Sequence, residues 1–204
     1  MLIGIDFDNT IVYYDALFHR LAVERSLVPA QLPVSKIAVR DYLRKVGNED
    51  AWTEMQGHVY GANMDEATAY PGVLEFVALA QLKGVKTAIV SHKTKYPFLG
   101  PKYDLHHAAR SWVGRHLARN SAPLISQDSV FFELTKEEKI ARIAELKCDY
   151  FIDDLPEILR MPEFPTATQR ILFDSEKKYG VDEGICRFES WAAISGYFEG
   201  KWSN

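Results

Sequence analysis

Two aspartates one residue apart, Asp6 and Asp8 in the stretch IDFDNT, follow strand-type apolar residues at the start of the chain. Carboxylates that leave a buried strand this close together repel, which raises at least one pKa. Farther along, Ser91 ends the apolar run VKTAIVS and an adjacent acidic pair, Asp153 and Asp154, ends YFIDD. Such groups match the needs of phosphoryl transfer: a nucleophile, a proton shuttle, a hard cation and donors around a phosphoryl group. Asp6 is the candidate nucleophile, forming an aspartyl phosphate. Asp8 is the candidate that protonates the leaving alcohol and then deprotonates the attacking water. Asp153 and Asp154 complete an oxygen-rich site suited to Mg2+, which takes about six oxygen ligands at ~2.1 Å. Ser91 and neighbouring backbone amides can donate to the phosphoryl oxygens.

These residues need elements that bring them to one place. Apolar runs followed by polar turn residues recur at MLIGIDFD, VKTAIVSH, SVFFE, YFIDD and QRILFDS, and segments of helical period separate most of them. That alternation predicts an α/β fold with a parallel sheet, whose ligand site lies beyond the carboxyl ends of the strands. Asp6, Asp8, Ser91, Asp153 and Asp154 all fall there. Between the first strand and Tyr70-Pro71-Gly72 the patterns ALFHRLAVERSL and SKIAVRDYLRKV are helical with no convincing strand, so residues 13–71 are expected to form an inserted helical lobe on a core of residues 1–12 and 72–204. VLEFVALAQLKG predicts a helix ended by Gly84, and DLHHAARSWVGRHLARN another after the Pro- and Gly-rich loop KTKYPFLGPKYD. TKEEKIARIAEL carries a capping box in Thr135 and Glu138, so a helix starts near Lys136. The tail ICRFESWAAISGYF reads as a short strand and a closing helix.

Composition narrows the class without naming a partner. At 204 residues with 47% hydrophobic residues the chain can bury one sizeable core, and a net charge of -4 gives no global pull toward nucleic acid or anionic lipid. Two cysteines, Cys148 and Cys186, support neither a disulfide framework nor a zinc cluster. No signal peptide and no apolar run near ~18 residues is evident, so a cytoplasmic protein is expected, with a small-molecule phosphate ester as its partner and neither nucleic acid nor membrane.

DFDNT followed by a helical insertion, then IVSHKT, a Lys-containing helix and FIDD, resembles the haloacid dehalogenase-like phosphohydrolase superfamily over most of the chain. The resemblance implies a Rossmann-like three-layer core with a small all-helical cap, a Mg2+ cofactor and hydrolysis of a phosphate ester. It implies that the Asp8 backbone carbonyl is a metal ligand beside Asp6, that Asp154 binds the metal directly and that Asp153 acts through a water. An Asp at position 8 is similar to phosphatases and phosphosugar mutases, whereas dehalogenating members and transport ATPases lack it. The third-motif lysine is Lys139, fourteen residues before Asp153, or alternatively Lys136, nearer the helix start. Thr10, His92 and Lys93 are the substrate-binding candidates.

Plainer readings stand beside these. The acids after the first strand could form only a turn, Asp154 could merely cap LPEILR, and either lysine alone could be a solvated helix residue. From His92 to Arg119 six cations and four of the six histidines face one acid, Asp104. The first half of that segment could attract an anionic substrate and the second could be a solvated helix face. A zinc role for His106 and His107 lacks the spacing. His58 and Trp52 are expected in the core of the insertion. Besides a phosphomonoesterase, the residues admit a phosphosugar mutase. A receiver-like phospho-acceptor module fits less well, because its motif order differs.

Overall fold

The five apolar runs and the short strand of the tail form the six strands of one sheet in the computed structural model, which describes residues 1–180 and 182–202. β1 (Leu2–Ile5), β2 (Lys86–His92), β3 (Val130–Glu133), β4 (Tyr150–Asp153), β5 (Gln169–Phe173) and β6 (Ile185–Phe188) lie in the order β6-β5-β4-β1-β2-β3, every neighbouring pair parallel. The chain lays β2 and β3 on one side of β1 and then crosses to the other for β4, β5 and β6. The order therefore reverses at β1, and a crevice lies above the carboxyl ends of β1, β2 and β4.

The described residues also form α1 (Asp15–Glu24), α2 (Lys36–Lys45), α3 (Glu49–Gly57), α4 (Val73–Leu82), α5 (Leu105–His116), α6 (Lys136–Leu146), α7 (Pro156–Leu159) and α8 (Trp191–Trp202). Side chains alternate across each strand, and this alternation divides the core into two layers. Ile3, Ile5, Ile89, Ile152, Ile171 and Phe173 pack with Phe76 of α4, Trp112 of α5 and Trp191 of α8. On the opposite face Val90, Phe151 and Leu172 pack with Ile140 and Ile143 of α6 and with Ile158 and Leu159 of α7. The fold is thus the expected α/β, Rossmann-like arrangement, a parallel sheet between two helical layers.

The insertion is helical and is closed by a strand pair that the sequence reading did not expect. Val12–Tyr13 pairs antiparallel with Thr68–Ala69. Two-residue strands are too short for apolar alternation to register. Two buried indoles of the core hold this neck, Trp191 Nε1 donating to the Thr10 carbonyl at 3.0 Å and Trp112 Nε1 to that of Ala67 at 2.9 Å. Within the insertion Phe18 packs on Trp52 with ring centres 5.1 Å apart, and Tyr14 meets Tyr60 edge-on at 5.0 Å.

Two boundaries also differ. α5 stops at His116 instead of continuing through Asn120, because Asn120 and Ser121 both have positive φ and form a two-residue turn joining Ala118–Arg119 to Ala122–Pro123. Asp154 does not cap α7, whose N-cap position is Leu155 with no side-chain bond. The capping box of Thr135 and Glu138 is present at the start of α6, and Gly84 takes positive φ beyond α4.

Gly4 of β1 faces the α6 and α7 layer at a point where no side chain fits: a Cβ there would lie 2.5 Å from the Phe151 ring and 2.9 Å from the Cys148 sulfur. Gly4→Ala is therefore expected to lose about 1–3 kcal/mol of stability through overpacking, read as a lower midpoint in urea unfolding.

Candidate active site

The sheet brings the aspartates together by continuing β1 one residue past its end. Asp6 N–H donates to the Ile152 carbonyl of β4 at 2.8 Å, which sets Asp6 beside Asp153. On the other side Ser91, near the end of β2, donates its hydroxyl to Asp6 Oδ1 at 2.8 Å. Lys139 reaches the same oxygen from the first turns of α6, its Nζ 2.7 Å from Asp6 Oδ1 and 2.6 Å from Asp153 Oδ2. Asp6, Ser91, Lys139 and Asp153 are each 5% exposed or less.

Lys136, one turn earlier on the helix, faces outward and pairs with Glu157 at 3.4 Å. The structure thus brings Lys139 into the cluster and leaves Lys136 outside it. Beyond Asp6 the chain turns sharply on Asn9 at φ 60°, with Phe7 buried against Trp112 and Phe132. The turn returns Thr10 to the site, where its hydroxyl lies 3.3 Å from Asp6 Oδ2 and accepts the Asp154 N–H at 3.1 Å.

Oxygens of Asp6, Asp153 and Asp154 all lie within 4.8 Å of one another. Their partners differ. Both Asp153 oxygens are engaged, one by Lys139 and the other by the Leu155 N–H at 3.0 Å, while the hydrogen bond to the Asp154 carboxylate among the described residues comes from the Thr10 hydroxyl at 3.4 Å. Burial pushes the Asp153 carboxyl up, Lys139 pulls it down and Asp6 pushes it up again, leaving it at about 7. Burial, Asp6 and Asp153 together hold Asp154 well above the ordinary carboxylate range. Burial works against the Lys139 ammonium, but Asp153 and Asp6 outweigh it and keep it charged. Three carboxylates around one ammonium form a set of hard oxygen donors short of positive charge, which fits a divalent cation such as Mg2+, with Asp154 the least engaged donor.

Asp8 turns away from that cluster. Its two oxygens accept from Lys93 Nζ at 2.9 and 2.7 Å, and the Tyr14 hydroxyl donates to it as well. Burial raises the Asp8 pKa, but the charge and hydrogen bond of Lys93, the Tyr14 bond and the charge of Lys36 bring it below the usual value. Burial and the Asp8 charge push the Tyr14 hydroxyl up, so it stays a donor. The Asp8 carboxylate is thus not among the oxygens gathered by Asp6, Asp153 and Asp154.

Lys93 is buried, and its carbonyl accepts from His106 Nε2–H at 2.7 Å. His92 is exposed, because alternation turns it to the face opposite Ser91, and it stays outside the cluster. Three neighbours of the site were not singled out in the sequence: Tyr14, Tyr60 and Lys36. Tyr14 and Tyr60 look like core aromatics, and Lys36 looks like a solvated first residue of a helix. Lys36 Nζ instead lies 3.3 Å from Asn9 Oδ1. Burial lowers its pKa, but Tyr60, Asp8 and Asp154 raise it further, so it remains an ammonium.

No family model matches the sequence, and no curated protein matches it. Solved structures do resemble it along nearly its whole length. A HAD family hydrolase from Deinococcus radiodurans, with bound phosphate and sodium, is 14% identical with a TM-score of 0.59, covering 98% of this chain and 96% of that one. A predicted phosphoglycolate phosphatase from Haemophilus somnus is 16% identical with a TM-score of 0.53, covering 96% of each. A dehalogenase is 14% identical with a TM-score of 0.58, also covering 96% of each. The chain has the fold of the HAD-superfamily hydrolases. No helix among the described residues is long and apolar enough to cross a membrane.

The charge imbalance has a measurable consequence. Asp153 titrates near 7 in the folded protein, above the ~3.9 of an unfolded chain, so its contribution to stability is complete below about pH 4 and is lost as pH rises through about 7. The metal-free protein is expected to lose thermal stability from this group between about pH 5 and pH 8, and millimolar Mg2+ to raise the Tm more at the higher pH. Asp154→Asn is expected to remove most of that Mg2+ shift in differential scanning calorimetry.

Proposed function

We propose that the protein is a Mg2+-dependent phosphomonoesterase acting on a small phosphorylated metabolite, such as a sugar phosphate or nucleotide, through an aspartyl-phosphate intermediate. One observation carries the reading: the Asp6 carboxylate lies between Ser91, Lys139 and the late acidic pair, with a second carboxylate, Asp8, two residues on. Asp6, Asp154 and the Asp8 backbone carbonyl would hold Mg2+, with Asp153 behind them. When bound, the ion supplies positive charge for the phosphoryl oxygens.

An Asp6 oxygen attacks phosphorus, and the bond from phosphorus to the ester oxygen breaks. The departing alcohol takes a proton from Asp8. Asp8, now a carboxylate, removes a proton from a water whose oxygen attacks the same phosphorus. The bond to Asp6 then breaks, which releases inorganic phosphate and restores both aspartates. Ser91 and Lys139 stay in place to receive charge on the phosphoryl oxygens. In the free protein Lys93 and Tyr14 keep Asp8 ionised. A phosphoryl group arriving beside Lys93 gives that ammonium a second anionic partner and repels the Asp8 charge. Both effects raise the Asp8 pKa toward the range in which it carries the proton it must donate.

The burial of Asp6, Ser91, Lys93 and Lys139 supports a small substrate, with residues 13–71 as a cap over the site. The Asp at position 8 favours phosphatase over dehalogenase chemistry. In a Mg2+-supplemented screen of phosphate esters, the protein is expected to release inorganic phosphate over many turnovers. Asp6→Asn should lose at least about a thousandfold and Asp8→Asn about a hundred- to ten-thousandfold. Equal rates for Asp6→Asn and the unaltered protein would remove this mechanism. An isomeric sugar phosphate formed without net phosphate release would instead establish the mutase.

A further inference from the structure

The mechanism above leaves one charge at the site unused. Lys36 is the first residue of α2, and its backbone is fixed: Ser35 Oγ accepts the N–H groups of Ile37 and Ala38, and Asp15 Oδ1 accepts that of Lys36 at 3.0 Å. From there the side chain runs toward the catalytic turn. Its ammonium sits 3.3 Å from Asn9 Oδ1 and lies 5.9, 5.7 and 5.5 Å from the ring centres of Tyr14, Phe18 and Tyr60. Tyr60 carries a second ammonium, that of Lys93, at 4.8 Å.

The two lysines differ in one respect. Lys93 is paired to Asp8 at 2.7 Å, while among the described residues Lys36 has no carboxylate oxygen within 4.0 Å. Tyr60 also makes a side-chain hydrogen bond to the Lys36 ammonium, but neither a neutral hydroxyl nor an aromatic face neutralises the charge. A lysine that merely covered an aromatic cluster would lay its stem on the rings and extend its head into water. Here the head points the other way, at the turn between Asp8 and Thr10.

The charges of the site are also polarised. Asp6, Asp153 and Asp154 gather around one ammonium, Lys139, whereas two ammoniums, Lys93 and Lys36, flank the Asp8 and Asn9 side of the turn, where Asp8 is the carboxylate that pairs with Lys93. A second anion on the substrate would be repelled at the acidic end and accepted only at the lysine end.

We propose that Lys36 is a specificity-determining residue that receives a second anionic group, a carboxylate or a phosphate, on the alcohol part of the ester attacked by Asp6. The inference rests on the phosphatase reading and narrows its substrate class to small esters with two anionic ends.

Three esters of one length test it: propyl phosphate, 3-(phosphonooxy)propanoate and propane-1,3-diyl bisphosphate. In the unaltered protein kcat/KM is expected to be at least about tenfold higher for an anion-bearing ester than for propyl phosphate, as a charged hydrogen bond provides. Lys36→Met and Lys36→Gln should each reduce that ratio about tenfold or more, and Lys36→Arg should keep part of it. Preference for either the carboxylate or the second phosphate supports the proposal and identifies the anion. A ratio unchanged in both neutral variants, or no preference in the unaltered protein, overturns it.

Binding separates this inference from the reading it rests on. Calorimetric titration of 3-(phosphonooxy)propanoate and propyl phosphate into Asp6→Asn, with and without Lys36→Met, needs no turnover. Tighter binding of the carboxylate ester that depends on Lys36 supports the anion site even if no ester is hydrolysed, in which case the phosphatase reading alone fails. Hydrolysis with a ratio indifferent to Lys36 has the opposite meaning. Lys36→Arg, which keeps the charge over the rings, guards against a neutral variant that fails to fold.

Discussion

A single ammonium shared by two buried carboxylates is the constraint on which the rest of the site depends. Lys139 bridges Asp6 and Asp153 from a position 2% exposed, so neither carboxylate could be buried as an ion without it. Such a bridge is poor evidence of selection for stability, since an apolar substitute of similar volume is often as stable or more so. Removing one member alone is another matter, typically costing about 3–5 kcal/mol, because an uncompensated charge stays behind. The bridge is better understood as a means of fixing the Asp6 carboxylate in a dry place. With Asp154 added, the local count becomes three acids to one base, and the protein retains an electrostatic debt that a bound cation is suited to cancel.

The backbone makes this arrangement possible at little cost in local strain. Because β1 lies between β2 and β4, residues distant in sequence reach the same edge as direct neighbours. The Asp6 N–H stays in the β ladder while its side chain leaves the sheet, so the nucleophile candidate has a fixed backbone. In the turn that follows Asp6, Asn9 takes positive φ, which asparagine tolerates better than most residues. That turn allows Thr10 to return beneath the acids and starts the chain into the insertion.

Most of the core was legible in the sequence because apolar alternation is strong in the six strands, and the order of DFDNT, Ser91 and FIDD placed their polar ends together. The spacing of fourteen residues before Asp153 favoured Lys139 over Lys136, and the structure brings Lys139 into the cluster. What was not legible depended on contacts across the insertion. Lys36 has the local signature of a solvated helix start, and only the packing of α1 and α2 on Tyr60 turns its head inward. Tyr14 reads as a core aromatic because the sequence cannot show that its hydroxyl faces Asp8. His92 shows the reverse: adjacency to Ser91 made it a candidate, and strand alternation places it on the other face. The ribbon at the neck was too short to carry a pattern.

These late-appearing residues change what the insertion does. A lobe that only excluded water would need apolar bulk at the mouth of the site, and Phe18 and Trp52 provide that behind the front row. The front row itself is Tyr14, Tyr60 and Lys36: Tyr14 and Lys36 each meet a group on the turn that follows Asp6, and Tyr60 lies against the Lys93 ammonium. The two indoles from the core that grip the neck tie this row to the sheet, so the Lys36 charge has a defined position relative to Asp6. On the proposed reading, a phosphate ester would meet Asp6, Ser91 and Lys139 on one side and the Lys93 and Lys36 ammoniums on the other, an arrangement of charge that orients an anion-bearing molecule before any bond is made. Orientation of that kind lowers the barrier through positioning, and it requires the insertion and the core to act as one charged surface.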